Sequence, residues 1–139
     1  MVFMLDTNTV SYLLHKRSAK LQARIDKLNY KDRLTISVIT EAEMRYGVAL
    51  KPGAHRLATA VESILSGLDI LPWTSEAAKA FATLRAKNRS QGLAAGSFDL
   101  LIAAHAVSAD AVLVTSDAAI SKLVGGLVTV NWANDLRPN

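Results

Sequence analysis

The sequence predicts an α/β domain in three layers, with a parallel sheet covered by helices on both sides. Short β-branched runs that are apolar on both faces alternate with stretches whose apolar residues recur at helical spacing. Several of those runs lead directly into a polar residue suited to start a helix. Strands buried on both faces require helices above and below, joined by right-handed crossovers. In such open sheets ligands bind beyond the carboxyl ends of the strands.

Taken in order, Val2 to Leu5 is a continuous apolar run followed by Asp6-Thr7-Asn8, a buried strand running into a helix start. Leu21, Ile25 and Leu28 then share one helical face. Leu34 to Ile39 is the second strand, and Thr40 with Glu43 has the spacing of a capping box. Leu57, Val61, Ile64, Leu65 and Leu68 mark the next helix, and Asp69 to Trp73 a third strand ended by Pro72 and a Thr74/Ser75 cap. Ala77, Ala80, Phe81 and Leu84 form an amphipathic stripe that stops around Gly92. From Ser97 the pattern Phe98, Leu101, Ile102, His105 restarts a helix, apolar nearly all round and therefore buried. Ala111 to Thr115 is the fourth strand, Ala118 to Leu123 a short helix and Leu127 to Val130 the fifth strand. Trp73 and Trp132 stand beside strand ends and are expected to pack there.

The 139 residues suit one domain, taken as residues 1–139, with one core. No cysteine is present, which excludes disulfide scaffolds, thiol catalysis and Cys-based zinc sites. No apolar run approaches the roughly 20 residues that cross a bilayer, and no basic segment precedes Asp6. The expectation is a cytoplasmic protein with no membrane association.

The formal charge of +4 hides an uneven distribution. Basic excess lies in two blocks, Lys16 to Arg33 and Lys79 to Arg89. Either block can be a solvated helix face, or a surface that tracks a phosphate backbone.

Four acids stand at strand-to-helix junctions or in first helical turns: Asp6, Glu43, Asp99 and Asp117. Each has a purely structural explanation, as a cap, a capping-box member or a complement to a helix dipole. For Asp6, Glu43 and Asp117, however, that explanation needs a helix starting just after a strand, and in a parallel sheet such starts share one edge. Two carboxylates about 5 Å apart repel by roughly 3 kcal/mol at an effective dielectric near 20. A cluster of them must protonate, spread apart or bind a cation. All-oxygen ligands without Cys or paired His favour Mg²⁺ or Mn²⁺ over zinc. Asp99 has no preceding strand, so the edge argument does not reach it. Set among apolar residues, it either faces solvent at the first turn or has a partner such as a cation.

Other chemistries lack their sequence supports. G-x-G-x-x-G, the P-loop and G-x-S-x-G are absent, and His15, His55 and His105 form no i, i+4 pair. His105 reads as a helix residue at a packing boundary.

Four blocks in order resemble the PIN-domain endoribonuclease toxins of bacterial VapBC toxin-antitoxin systems. They are Met4-Leu5-Asp6-Thr7-Asn8, Ser37 through Glu43 to Gly47, Gly96-Ser97-Phe98-Asp99 through Ala106, and Leu113-Val114-Thr115-Ser116-Asp117; with Val130-Asn131-Trp132 the likeness covers nearly the whole chain. By this resemblance Asp6 matches the family's first metal-binding aspartate, Glu43 the glutamate of its A-E-x-x-Y-G block and Asp99 the aspartate of its G-x-x-D block. Asp117 falls at a fourth, more variable polar or acidic position, as ligand or water positioner. Glu41 does not match and reads as a surface residue. Thr7, Asn8 and Ser116 are implied as supports through hydrogen bonds. One departure is Ala94-Ala95, where many relatives carry a proline pair before the glycine.

The resemblance further implies a PIN-like α/β/α fold with a five-stranded parallel sheet and a homodimer. It also implies a VapB-type antitoxin whose C-terminal segment blocks the acidic groove, and binding of operator DNA through that antitoxin. The expected activity is Mg²⁺-dependent hydrolysis of RNA phosphodiesters, with tRNA the common target in the family and the two basic blocks guiding the backbone. Two alternatives stand beside it. Leu5-Asp6-Thr7-Asn8-Thr9 approaches the D-x-D-x-T signature of haloacid-dehalogenase-type phosphatases, with Asn8 in place of the general acid. A non-catalytic module binding RNA or a partner through its basic face is the other.

Overall fold

The structure, a computed structural model describing residues 1–136, places a single parallel sheet at the centre of the chain. Its strands are β1 (Val2–Leu5), β2 (Arg33–Ser37), β3 (Asp69–Leu71), β4 (Val112–Val114) and β5 (Thr129–Val130). They lie in the order β3-β2-β1-β4-β5, every neighbouring pair parallel. Leu5 is paired with Ile36 on one side and Val114 on the other, so β1 ends in the middle of the carboxyl edge. The helices are α1 (Thr7–Leu14), α2 (Ala19–Asp26), α3 (Val38–Ala49), α4 (His55–Ser66), α5 (Ser75–Ser90), α6 (Ser97–Ser108) and α7 (Ala118–Ser121). The fold class expected from the sequence is the one observed.

Successive side chains of a strand point to opposite faces, and β1 shows both layers at once. Phe3 and Leu5 enter a cluster with Val10, Leu21, Val61 and Leu65, which belong to α1, α2 and α4. Met4 enters the other with Leu84, Ile102, Ala106 and Ile120, from α5, α6 and α7. Leu5, Ile36, Ile102 and Leu113 are wholly buried, and each such side chain contributes roughly 1.5–3 kcal/mol through burial. Both faces of the sheet are therefore closed, and the edge at its carboxyl end is left to carry polar groups. No helix among the described residues is long and apolar enough to cross a membrane.

Three local outcomes differ from the sequence reading. The second strand stops at Ser37, because Ser37 is itself a helix cap: its hydroxyl accepts from Ile39 N at 3.0 Å. Val38 and Ile39, β-branched and strand-like in sequence, are thereby the first residues of α3. Thr40 and Glu43 then lie inside the helix, so the capping box they suggest is not formed. The fifth strand shrinks to two residues and α7 to four. Phe98, placed on a buried stripe by its spacing, is 57% exposed, while Leu100 and Ile102 to Ala106 are buried.

His105 is buried, not at a boundary. Its Nδ1 lies 2.7 Å from Ser37 Oγ, and the ring is also hydrogen-bonded to the Pro72 backbone. Burial lowers the pKa of the ring, which favours its neutral form. This bridge ties α6 to the start of α3. Trp73 packs edge-on against the same ring at 5.4 Å, and Trp132 packs against Phe3 at 4.8 Å.

Candidate active site

Asp6 is the first residue past β1, and its N–H donates to Val114 O at 3.1 Å, continuing the β1–β4 ladder by one step. Its extended backbone makes it the cap of α1, with Oδ1 accepting from Thr9 N at 2.9 Å. Thr9 is buried beneath it and its hydroxyl donates to Val114 O at 3.1 Å. The Thr115 hydroxyl also bonds the Asp6 carboxylate and accepts from Asp117 N at 3.1 Å. Asp117 in turn caps α7, accepting from Ala119 N at 2.8 Å. Because β1 and β4 are adjacent, these two caps stand side by side and share Thr115.

Glu43 reaches the same place from the second turn of α3. Thr7 Oγ1 donates to Glu43 Oε1 at 2.6 Å and is hydrogen-bonded with the Thr40 hydroxyl at 3.2 Å. The residue next to Asp6 therefore orients Glu43. Glu41 points elsewhere: it accepts from Arg45, which also bonds Glu62 and so links α3 to α4.

Asp99, the third residue of α6, is half-buried. A Cβ on Gly96 would come within 3.2 Å of Asp99 Oδ2, so the carboxylate folds back over the glycine that begins the helix. A side chain at position 96 would press on the carboxylate and oblige it to shift by a few tenths of an ångström. The edge argument that gathers Asp6, Glu43 and Asp117 does not extend to Asp99, but the tertiary structure brings it to them. Burial raises the Asp99 pKa first, and then Asp117, Asp6 and Glu43 raise it further. Asp6, 2% exposed, is likewise pushed up by burial and by Asp117, against hydrogen bonds from Thr115 and Thr9 that lower it. Among the described residues, no lysine or arginine is one of the groups acting on either carboxyl.

The donor set is all-oxygen and anionic, and such a set suits a hard divalent ion. Among the described residues no three of these side chains already stand as a coordinating group. Asp117, Asp6 and Glu43 stand close enough to Asp99 to raise its proton affinity without forming a closed shell.

The supporting residues are partly different from those expected. Thr7 holds Glu43, whereas Asn8 is exposed on α1 and neither its side chain nor that of Ser116 bonds any of the four acids. Thr9, Thr40 and Thr115 take that work; of these the sequence marks only Thr40, and as a helix cap instead of a support for the site. The available signal is their position, each two or three residues from one of the four acids. Thr7→Val removes the hydroxyl that fixes Glu43 while keeping the shape. The expected result is a fall in kcat of about tenfold, measured on a labelled RNA, with Tm nearly unchanged.

A parallel sheet with an acidic carboxyl edge built in this way is the arrangement of a PIN domain. The PIN-domain family profile matches residues 3–125, and the chain belongs to that family. Within it the chain is of the VapC type. It is 31% identical over 132 residues to ribonuclease VapC2 of Rickettsia felis, covering 95% of this chain and 98% of that protein. It is 33% identical over 131 residues to a tRNA(fMet)-specific endonuclease VapC of Shigella flexneri, covering 94% and 98%. Among solved structures, VapBC2 from Rickettsia felis bound to a DNA fragment from its promoter superposes with a TM-score of 0.88. The identity there is 29%, over 95% of this chain and 99% of that one. A VapC-type PIN ribonuclease is a nuclease hydrolase, and neither the phosphatase reading nor the non-catalytic one is favoured by these relatives.

Proposed function

We propose that this chain, as one PIN domain over residues 1–139, is a Mg²⁺-dependent endoribonuclease that also accepts Mn²⁺. Its substrate class is tRNA, in keeping with the name of the Shigella flexneri relative. The reading includes a cytoplasmic toxin that is homodimeric and neutralised by a VapB-type antitoxin, with operator DNA bound only through that complex. The observation that carries the activity is the gathering of Asp6, Glu43 and Asp117 around Asp99.

Asp6, Glu43 and Asp99 would hold the ion, with Asp117 assisting. Asp6 is fixed by Thr9 N and the Thr115 hydroxyl, and Glu43 by Thr7 Oγ1. Their orientation is set before substrate arrives. A divalent ion bound there supplies Lewis-acid stabilisation of the phosphate and lowers the pKa of a bound water. Asp117, with one oxygen on Ala119 N, offers the second to orient the attacking water. The water oxygen attacks phosphorus, the P–O ester bond opposite it breaks, and the departing oxygen takes up a proton.

The test is to incubate the purified protein with total RNA, with and without Mg²⁺, and to map the new ends. Cleavage is expected with Mg²⁺, is lost in excess EDTA, and returns when Mg²⁺ or Mn²⁺ is restored. Full activity in excess EDTA sinks the proposal.

A further inference from the structure

A substrate that is a polyanion must cross an edge that is itself acidic, so cationic groups have to hold it on either side of the scissile bond. The structure separates the two basic blocks in this respect. The first lies largely at the opposite end of the sheet: Arg33 begins β2 and pairs with Asp69 at 2.7 Å, and the adjacent Lys31 carbonyl binds the chain's amino group. Arg24 is stacked over Trp132 at 4.7 Å and over Phe3 at 5.7 Å.

The second block lies on α5, and the helix divides it further. Lys79 and Lys87 line a hollow with Glu76, and Lys79 is paired with that acid at 3.5 Å. Arg85 and Arg89, four residues apart and so on one face, line a different cleft of about 390 Å³. Its remaining wall is the turn from Gly92 to Ala95, and Leu100 closes it. Leu100 follows Asp99, so the cleft adjoins the helical turn that carries that acid.

We infer that this cleft is a phosphate subsite, in which Arg85 and Arg89 bind an RNA backbone phosphate flanking the scissile bond. The inference rests on the ribonuclease reading above and adds where the strand is held. Both arginines are exposed, and among the described residues neither has an ion-pair partner; Arg85 lies over the Phe81 ring at 5.7 Å. Their charge is therefore available for an external anion. A guanidinium fork matches two phosphate oxygens, which a lysine cannot do in the same way. The helix that presents them is anchored. Asn88, between them in sequence and 1% exposed, donates to Leu84 O and Val124 O and accepts from Val124 N, each at 2.8 Å. This fixes the last turns of α5 before any ligand arrives, so little ordering is left to the binding step.

The experiment measures binding of a short fluorescein-labelled, mixed-sequence single-stranded RNA to the full chain carrying Asp6→Asn, which silences cleavage. Arg85→Gln with Arg89→Gln is expected to weaken binding about tenfold at low salt. The slope of log K against log salt should become shallower by about 0.7, the value for one lost single-strand phosphate contact. Arg85→Lys with Arg89→Lys should restore most of the salt slope, because the charge returns. Lys27→Gln with Lys31→Gln, at the other end of the sheet, should leave the slope as it was. In the cleaving parent the glutamine pair should act mainly by raising KM. If the parent cuts RNA but the glutamine pair binds with unchanged affinity and slope, the phosphate cleft is overturned and the ribonuclease reading stands. If the parent neither binds nor cuts any RNA, both fall.

Discussion

Asp6→Asn is expected to give a folded protein with RNA cleavage reduced at least about 10³-fold, equivalent to roughly 4 kcal/mol of transition-state stabilisation. The fold survives because the structural duties of Asp6 do not need its charge. Its Oδ1 caps α1 through Thr9 N, and asparagine is as good a cap as aspartate. The backbone bond from Asp6 N to Val114 O is untouched. What disappears is one anionic oxygen from the centre of the carboxyl edge, where Asp117 and Asp99 both sense it. A site built to neutralise a divalent ion with carboxylates then lacks a full unit of charge at its most buried member. Circular dichroism and Tm should match the parent, or exceed it slightly. Wild-type cleavage by the variant would remove Asp6 from the mechanism.

The sequence makes some of this legible and hides the rest for reasons specific to each residue. Asp6 and Asp117 follow apolar runs and precede helices, so a cap and an edge position can both be deduced from neighbours in the chain. Glu43 is reached by an argument whose local premise fails: the helix starts at Val38 under a Ser37 cap, not at a Thr40 box. The conclusion that Glu43 stands at the edge survives, since a helix that begins earlier still begins at the end of β2. Asp99 is different in kind. Its place depends on α6 packing beside α5 and on His105 tying α6 to Ser37, contacts between segments that no local pattern encodes. Phe98 shows the converse error, an apolar residue whose spacing fits the buried stripe but whose side chain is exposed at the first turn.

Asp99→Asn should abolish cleavage and at the same time stabilise the metal-free protein. The two effects have one origin. Asp99 has no hydrogen-bond partner among the described residues and is surrounded by burial and three other acids, all of which raise its pKa. A carboxyl whose folded pKa lies above its ordinary 3.8 holds its proton more tightly in the folded state than in the unfolded one. The stability associated with it is complete below 3.8 and is lost as pH rises through the higher folded value. At neutral pH the ionised group therefore opposes folding, and an uncharged amide of the same shape relieves the strain. Because the side chain is half exposed, solvent screens much of the repulsion. A gain on the order of 1 kcal/mol, a few degrees in Tm, is expected at pH 7. His105 acts in the opposite sense, since burial holds it below 6.5 and the unfolded chain gains stability relative to the fold as pH drops beneath that value. That contribution is common to both proteins and cancels when parent and variant are compared at each pH. The Tm difference should shrink as pH falls toward 3.8, because the parent's Asp99 then becomes neutral as well. Added Mg²⁺ should raise Tm of the parent in a concentration-dependent way and have much less effect on the variant. A variant less stable than the parent at pH 7 in EDTA would contradict the electrostatic account. An unchanged response to Mg²⁺ would remove Asp99 from the ligand set.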